Sequence, residues 1–347
     1  MLEQNESSLR PPPLYPPAKP RRKTWIWAIC VPAGLVLLYI FMSAYSESGK
    51  FGKSSLLKAE TRGTDEFPDM KETWSFGKGE TKAARIDITG VIMQGRQGSI
   101  FSMSRDPVDT AVRMIRTAAE DKDVKAIILV VDSPGGGITA SDIIYNELKK
   151  FKKSDPTRKI VALFGDVAAS GGYYVASAAD YIIAHPTTIT GSIGVLISTI
   201  NLKGFGDKYG IKSVTITSGK NKDMLNPFKD LSEEQQQLLQ TTIDEMYKRF
   251  VEIVAKGRRL PEDEVIKIAD GRIMTATEAL TNKLIDSIGY WDDAMSETCK
   301  LLKVESVKVI KYQEPFSFAS LLESIQKIDI SVQSLQGHAM RMYLSPL

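Results

Sequence analysis

Strands followed by glycine-rich loops constrain the fold of this chain more than any other feature. The run Lys125–Asp132 (KAIILVVD) is continuous and rich in β-branched residues, which is typical of a strand buried on both faces. A loop through Gly135–Gly137 follows it, and an amphipathic helical pattern then covers Ser141–Lys153. The same order recurs with a strand at Lys159–Phe164 and the loop Gly165–Gly172. This alternation predicts a mostly parallel α/β sheet.

Further patterns extend the predicted core on both sides of these units. Ser232 to Gln235 form a capping box that opens a long helix, and we expect its apolar stripe to pack on the core: Leu239, Ile243, Met246, Phe250 and Ile253. The other predicted strands are Ala84–Met93, Tyr181–Ala184, Val195–Ile200, Ile211–Thr217 and Leu284–Ile288. The other predicted helices are Asp106–Ala119, Tyr173–Ala179 and Thr277–Asn282. A third glycine-rich loop covers Thr190–Gly194.

The N-terminal part of the chain carries an uncharged apolar segment. Thr24–Tyr45 holds 22 residues without a charge, and a helix of that length spans roughly 33 Å, enough to cross a bilayer. We therefore predict a single transmembrane anchor over residues 24–45. Five basic residues precede it, so the positive-inside rule places residues 1–23, a proline-rich basic tail, in the cytoplasm and the rest of the chain outside. The alternative is a cleaved secretory signal, which the length of the apolar segment disfavours.

Composition divides the rest of the chain into three parts. Residues 46–80 are polar and lack a sustained apolar period, so they are predicted to be a linker. The folded domain is predicted over residues 81–312, and residues 313–347 form a weakly patterned C-terminal tail.

Charge and residue counts exclude several classes of function. Lys and Arg total 45 against 42 acidic residues, and the net charge of +3 lies within the N-terminal tail, so no nucleic-acid partner is expected. The two cysteines, Cys30 and Cys299, cannot form a zinc site built on cysteine pairs, and no metal site is expected. The two histidines, His185 and His338, leave little imidazole for catalysis.

Two of the glycine-rich loops could carry chemistry at one edge of the parallel sheet, where the carboxyl ends of the strands meet. The loop Asp132–Gly137 (DSPGGG) is interpreted as an oxyanion-binding loop, with a structural turn and a weak dinucleotide fingerprint as alternatives. Ser170 stands at the entry to a helix with small residues on both sides, close to the nucleophile-elbow pattern. Taken alone, Ser170 could equally be a helix cap. As a nucleophile it would need a base, either His185 or a lysine, and composition does not identify which lysine.

Four motifs in order resemble one known family. They are DSPGGG at residues 132–137, AASGGYY at 168–174, TGSIGV at 190–195, and GKNKD with NPF at 219–228. Together they resemble the signal peptide peptidase A family, in its short, single-copy bacterial form. The resemblance covers about residues 81–312 and the N-terminal anchor. It implies a Clp-protease/crotonase-like spiral of βαβ units preceded by a single transmembrane helix.

The resemblance also implies roles for individual residues. Ser170 matches the nucleophile of that family, and Lys222 matches its general base. Ser192 matches the serine that orients the lysine amine, and the backbone N–H groups of Gly136 and Gly171 correspond to the oxyanion hole. No cofactor or metal is required. Asp223 adjoins Lys222 and would hinder its deprotonation if the carboxylate faced the amine.

The activity implied is that of a serine endopeptidase with a Ser-Lys dyad. It would be held in a bacterial cell membrane with its catalytic domain outside the cytoplasm, and would degrade cleaved signal peptides and other small hydrophobic peptides. The family resemblance further implies a homo-oligomer, an octamer, in which neighbouring chains share Ser170 and Lys222. Three alternatives stay open: a membrane-scaffold-associated Clp-like serine protease, a crotonase-fold acyl-CoA enzyme, and a non-catalytic scaffold.

Overall fold

The apolar runs form the centre of a mixed sheet in a computed structural model that describes residues 70–95 and 106–313. Strands β2, β3, β4, β5 and β8 are parallel neighbours in that order, and the antiparallel pair β1 and β9 extends the sheet beyond β2. The short strand β6 continues beside the end of β4 and pairs antiparallel with β7. The strands are β1 Lys71–Phe76, β2 Lys82–Ile92, β3 Val124–Gly136, β4 Lys159–Ala169, β5 Tyr181–Ala184, β6 Ile189–Gly191, β7 Ile273–Thr275, β8 Ser287–Ile288 and β9 Lys308–Gln313.

Helices connect the strands and cover the sheet. The first begins at Pro107 because the carboxylate of Asp106 accepts hydrogen bonds from the N–H groups of Val108 and Asp109. The helices are α1 Pro107–Glu120, α2 Ile138–Ser154, α3 Gly171–Ala176, α4 Lys203–Tyr209, α5 Glu233–Arg258, α6 Glu262–Ile268, α7 Ala276–Thr281 and α8 Trp291–Leu302. The prediction of a mostly parallel α/β core is confirmed.

The central strands are buried on both faces, as their composition predicts. Ile127, Ile128 and Leu129 of β3 and Val161 of β4 have no solvent exposure. Side chains on opposite faces of β3 belong to different apolar clusters, since Ile127 and Leu129 pack on one side and Ile128 on the other. Both strands run further than predicted, since β3 extends to Gly136 and β4 to Ala169 and so include most of the two segments predicted as loops.

The predicted strands Val195–Ile200 and Ile211–Thr217 are wrong. Neither segment is a strand in this structure, and both lie in a projection of the chain, residues 195–231, that we call the arm. Among the described residues, hydrogen bonds of the arm join its own parts or reach the first turn of α5, as from Lys220 to Glu234. A strand needs a neighbouring backbone edge, and none of the described strands pairs with the arm.

The apolar stripe of α5 is only partly buried, which corrects its interpretation as core packing. Phe250 and Ile253, in the last third of the helix, are buried, whereas Leu239 and Ile243 are half-buried and Met246 is 37% exposed. The end of α5 is anchored by Arg258, whose guanidinium donates two hydrogen bonds to the carboxylate of Asp286 at 2.7 and 2.8 Å. The helix therefore leaves the core toward its N-terminus and carries the arm at that end.

The folded part begins earlier than residue 81. Strand β1 lies within the predicted linker 46–80 and pairs with β9, from which more than 230 residues separate it in the sequence. Phe76 at its end makes an edge-on ring contact with Trp291 of α8, with centroids 6.2 Å apart. Six residues with a partner so remote in the sequence give no local periodicity to detect, and for the same reason β9 was not predicted.

Several predictions concern residues outside the described ranges. These are the cytoplasmic tail 1–23, the anchor 24–45, most of the linker and the C-terminal tail. Within residues 70–95 and 106–313, no helix has both the length and the apolar character to span a membrane.

Candidate active site

Ser170 occupies a sharp turn between β4 and α3. Its backbone has φ 51° and ψ −120°, a conformation that L residues rarely adopt. The turn is held by two hydrogen bonds, from the Ser170 N–H to the Gly191 oxygen at 2.9 Å and from the Tyr174 N–H to the Ser170 oxygen at 2.9 Å. Although Ser170 stands at the N-cap position, its side chain makes no capping hydrogen bond. The structure therefore has the strand–turn–helix form of a nucleophile elbow and disfavours the helix-cap interpretation.

Small residues around Ser170 are required by close backbone packing. A Cβ atom at Gly172 would lie 2.8 Å from the Ser133 oxygen, and one at Gly171 would lie 2.4 Å from Ser141 Oγ. The sheet also bulges here, because Val131 pairs with Phe164 but Ser133 pairs with Ala168, which leaves two extra residues on β4. The bulge brings Ser170 level with the loop that follows Ser133.

The loop Asp132–Gly137 packs directly against the nucleophile candidate. Gly135 has φ +97°, and a Cβ atom there would lie 2.5 Å from the Gly171 nitrogen and 2.9 Å from Ser170 Cβ. The Gly136 nitrogen lies 3.1 Å from the place where a Cβ atom of Gly171 would stand. Gly136 and Gly171, the two predicted oxyanion donors, are thus adjacent to each other and to Ser170.

Both glycines stand at the ends of regular elements, Gly136 as the last residue of β3 and Gly171 as the first of α3. The Gly137 N–H, one residue after β3, donates to the Ile92 oxygen of β2 at 2.7 Å. Gly171 is the first residue of α3, and none of the described residues accepts a hydrogen bond from its N–H. Two such donors can stabilise negative charge that develops on a carbonyl oxygen.

Ser192 lies next to Ser170 across a strand pair. Ala169 of β4 pairs with Gly191 of β6, and each strand is followed at once by a serine with positive φ, 50° at Ser192. The Ser192 N–H donates to the Arg272 oxygen at 2.7 Å, which holds this second turn in place. The structure therefore brings four of the five predicted site residues together.

A shallow cleft opens beside Ser170. Its lining is mostly apolar and contains no carboxylate: Gly136, Ile138, Ser141, Ser170, Gly171, Tyr174, Gly194, Val195, Met246 and Phe250. Acid–base chemistry on an acyl-CoA would need an acidic group at such a place, so the lining gives no support to the crotonase-type alternative. An apolar wall suits an apolar side chain of a substrate instead.

One wall of the cleft is fixed by a buried tyrosine. The Tyr174 hydroxyl donates to Asp142 at 2.5 Å, and Arg249 of α5 donates to the same carboxylate at 3.3 Å. The Tyr174 ring also contacts Phe250, with centroids 5.0 Å apart. Burial, together with the hydrogen bond to Asp142, raises the pKa of the Tyr174 hydroxyl, which therefore stays protonated. Tyr174 acts here as a wall and not as a proton acceptor.

Lys222 lies apart from the other four predicted residues. It is exposed, belongs to the arm, and is absent from the residues that line the cleft beside Ser170. Its neighbour Asp223 turns away and pairs with Lys229 at 2.5 Å, and this hydrogen bond lowers the pKa of the Asp223 carboxyl. The carboxylate that could have hindered Lys222 is thus occupied elsewhere. Within one chain, the structure does not unite the proposed nucleophile with the proposed base.

His185, the alternative base, also lies away from the cleft. It follows β5, and its ring contacts that of Tyr290 with centroids 5.2 Å apart. Its Nδ1 atom is buried and has no hydrogen-bond partner among the described residues, and His185 does not line the cleft. Neither ring nitrogen is therefore available to Ser170 in the way a general base requires.

Sequence reasoning missed several residues of the site. Ser141, Tyr174, Met246 and Phe250 line the cleft, and Ser133 supports its loop. A signal existed for Ser133 and Tyr174, which lie inside quoted motifs, and for Met246 and Phe250, which belong to the predicted stripe. Within residues 70–95 and 106–313, no group of three or more His, Cys, Asp or Glu residues could hold a metal ion.

Comparisons with known proteins identify the family of this chain. The family model "Peptidase family S49" matches residues 152–305, and the family model "Clp protease" matches residues 80–189. A putative signal peptide peptidase SppA of Enterococcus faecium is 36% identical over 304 residues, 86% of this chain and 87% of that protein. A putative protease of Synechocystis is 37% identical over 228 residues, 66% of this chain and 77% of the relative. Protease 4 of Haemophilus influenzae is 35% identical over 263 residues, but these make up only 41% of its length.

Proposed function

The chain belongs to peptidase family S49 and is a serine peptidase, and from this premise we propose that Ser170 is its nucleophile and Lys222 its general base. The observation that carries the proposal is the elbow at Ser170, with two backbone donors beside it and no capping bond on its side chain. Ser192 would orient the amine of Lys222, since it stands beside Ser170 on the neighbouring strand.

The proposed reaction is acyl transfer in two steps. Lys222 Nζ takes the proton of Ser170 Oγ while Oγ attacks the peptide carbonyl carbon, and the oxygen becomes an anion between the Gly136 and Gly171 N–H groups. The C–N bond then breaks, and the leaving amine receives the proton from Nζ. Water, deprotonated by the same Nζ, finally attacks the ester carbonyl carbon. The ester C–O bond breaks, the carboxylic acid product leaves, and Nζ returns its proton to Ser170 Oγ. Lys222 thus carries the proton in both steps, and the chain needs no other acid or base.

We expect the site to be shared between copies of the chain. A lysine serves as a base near neutral pH only where desolvation favours its uncharged form, and an exposed position in the arm does not supply that. The arm also exposes large apolar side chains, among them Leu196, Ile200, Val214 and Ile216. Packing the arm onto a neighbouring chain would bury these side chains and could carry Lys222 to the neighbour's Ser170. An octamer is the assembly that we propose.

The proposed substrates are hydrophobic peptides, signal-peptide remnants among them. The apolar cleft beside Ser170 supports this, as does the similarity to the putative signal peptide peptidase of Enterococcus faecium. We further propose that residues 24–45 anchor the chain in the bacterial cell membrane, with residues 1–23 in the cytoplasm, a linker after the anchor, and the catalytic domain outside. Apolar peptides left in the bilayer would then be within reach of the cleft.

The first test measures cleavage of a fluorogenic apolar peptide by the full chain in detergent, from pH 6 to 10. Ser170→Ala and Lys222→Ala should each abolish cleavage, whereas His185→Ala should retain it. The wild-type rate should rise as a lysine deprotonates. If Ser170→Ala cleaves as well as the wild type, the nucleophile assignment is wrong.

A second test addresses the shared site. Ser170→Ala and Lys222→Ala chains, co-assembled and verified as mixed oligomers, should recover part of the activity that each lacks alone. In a mixed pair, the intact Ser170 of one chain meets the intact Lys222 of the other. A mixed oligomer without any cleavage would contradict sharing, while leaving the roles of the two residues to the first test.

A further inference from the structure

A buried hydroxyl that the proposed mechanism does not use ties the oxyanion loop to the sheet. Ser133 has no solvent exposure, and its Oγ makes two hydrogen bonds. It donates to the Gly90 oxygen of β2 at 2.6 Å and accepts from the Gly135 N–H at 3.1 Å. Ser133 thus links a neighbouring strand to the residue immediately before Gly136, one of the two proposed oxyanion donors.

The sheet is irregular at this level, so ordinary strand pairing does not hold the loop. On one side, Thr89 pairs with Asp132 but Val91 pairs with Gly135, which leaves one extra residue on β3. On the other side, β4 carries two extra residues opposite Ser133. A bulge of this kind interrupts the ladder and frees backbone groups. The Ser133 hydroxyl takes up two of these groups, the Gly90 oxygen and the Gly135 N–H.

Asp132 makes the corresponding link to the other neighbouring strand. Its carboxylate accepts a hydrogen bond from the Val167 N–H at 3.1 Å, within the extra residues of β4. Consecutive side chains of β3 therefore bond to β2 and to β4 at the one level where both ladders are irregular. Asp132 is exposed and Ser133 is buried, so only the hydrogen bonds of Ser133 are shielded from solvent.

Gly135 packs closely against the site. A Cβ atom at this residue would lie 2.5 Å from the Gly171 nitrogen and 2.9 Å from Ser170 Cβ, so its backbone is in close contact with both. A rotation of the peptide between Gly135 and Gly136 would also turn the Gly136 N–H away from its present direction. The Ser133 bond to the Gly135 N–H restrains the chain one residue before that peptide.

We propose that Ser133 is a positioning residue of the peptidase, which through the Gly135 N–H sets the direction of the Gly136 N–H toward the reacting carbonyl oxygen. This inference rests on the proposed function, in which Gly136 and Gly171 stabilise the oxyanion. Ser133 touches neither the substrate nor the nucleophile hydroxyl in this role. Its loss should therefore weaken stabilisation of the transition state more than binding of the substrate.

A matched control separates this role from that of an ordinary buried hydroxyl. Ser177, which follows α3, is also buried, and its Oγ donates to the Tyr173 oxygen at 2.8 Å. Ser177→Ala removes the same group from a similar environment, but does not touch the loop Asp132–Gly137. Ser133→Cys is the conservative variant, because a thiol of similar shape keeps a weak donor and acceptor at the same place.

The experiment uses the full chain in detergent and two probes, N-acetyl-leucine methyl ester and its thiono analogue, in which sulfur replaces the carbonyl oxygen. Sulfur accepts hydrogen bonds poorly, so the ratio of kcat/KM for the two esters reports on the oxyanion donors. Ser133→Ala should lower kcat for the oxygen ester about 10- to 100-fold with KM little changed, which is less than the roughly 10²- to 10³-fold loss typical of removing an oxyanion donor outright, because the Gly136 N–H is still present. The preference for the oxygen ester should fall by a similar factor. Ser133→Cys should lie between Ser133→Ala and wild type, and Ser177→Ala should match wild type in both measurements.

Three results would overturn the inference. One is a Ser133→Ala variant with wild-type kcat and wild-type preference for the oxygen ester. The second is a loss of activity in Ser133→Ala with an unchanged preference, which would indicate general damage to the fold. The third is an equal loss of preference in Ser177→Ala. Failure of the proposed function gives a different result, since Ser170→Ala would then hydrolyse the oxygen ester at the wild-type rate.

Discussion

Replacing Val214 and Ile216 together by serine should separate the assembled chains. These residues are 88% and 98% exposed in the arm, so nearly all of their apolar surface is available to a neighbouring copy. Fully burying one such side chain is worth about 1.5–3 kcal/mol, and the pair therefore contributes about 3–6 kcal/mol to each contact. Since 1.4 kcal/mol is a factor of ten, association should weaken about 10²- to 10⁴-fold.

The assay measures the molar mass of the full chain in detergent by light scattering over a dilution series. Wild type should dissociate only at much lower concentration than Val214→Ser/Ile216→Ser. Ile266→Ser is the control, because Ile266 is 52% exposed on α6, outside the arm, and its replacement should leave the molar mass unchanged. If the double variant and wild type dissociate at the same concentration, the arm is not the contact surface, and the reasoning is refuted.

The same variant links assembly to catalysis. If Lys222 acts in a neighbouring site, peptide cleavage by Val214→Ser/Ile216→Ser should fall together with the assembled fraction. Raising the concentration should restore both in parallel. Full activity in a chain shown to be monomeric would contradict the shared site.

Three further predictions concern the site and the core. Gly171→Ala should lower the melting temperature and abolish peptide cleavage, because the new Cβ would lie 2.4 Å from Ser141 Oγ. Adding Ser141→Ala to that variant should recover part of the melting temperature but not the activity, since the new methyl group would still crowd the Gly136 nitrogen. Met246→Ala should enlarge the cleft and raise kcat/KM for peptides with bulky apolar side chains relative to small ones, and an unchanged preference would show that Met246 is no part of the specificity pocket. Burial raises the pKa of Glu147, but the hydrogen bonds from Arg116 and Lys150 outweigh it and the net pKa lies below the usual 4.5. Ionised Glu147 therefore stabilises the fold above pH 4.5, and this contribution is lost as the pH falls through the lowered pKa. Glu147→Gln should have a smaller free energy of unfolding than wild type at pH 7, and should lose less of it on acidification. Urea unfolding at pH 7 and at acidic pH measures both effects.

The centre of the fold could be predicted because its signals are local. The run Lys125–Asp132 lies within β3, and Lys159–Phe164 lies within β4, as their continuous apolar composition indicates. Glycines mark the loops after them because the backbone there approaches other backbone too closely for a Cβ atom, as at Gly172. Such requirements act on single residues and are visible in the sequence.

The arm could not be predicted because its apolar pattern does not specify what the segment contacts. Alternating apolar residues in Ile211–Thr217 indicate a strand, yet in this structure Val214 and Ile216 are the most exposed of the large apolar residues described. Periodicity reports that a segment is suited to pairing, but not which edge it pairs with. The half-buried stripe of α5 has the same explanation, since the helix extends past the core that covers Phe250.

Some residues of the candidate site could likewise be predicted from local sequence, and others could not. Ser170 and the glycines followed from the chemistry of an exposed serine at a small-residue turn, whereas Lys222 followed only from the family resemblance. No local pattern distinguishes a catalytic lysine from a solvated one, because the property that matters is the desolvation of its amine by residues remote in the sequence. Ser133 was visible in the motif, but its role depends on Gly90, 43 residues earlier in the chain.

By itself, the sequence determined the parallel α/β core, the positions of the glycine-rich loops and the serine at the entry to α3, because each depends on neighbours within a few residues. Only the tertiary structure decided that Gly136 and Gly171 lie together beside Ser170, that the backbone turns at Ser170 and Ser192 lie side by side, and that Lys222 stands apart on an exposed arm. These relations depend on strand register and bulges, which bring together residues from β2, β3, β4 and β6. Register is set by the packing of the whole sheet, and no segment carries it alone.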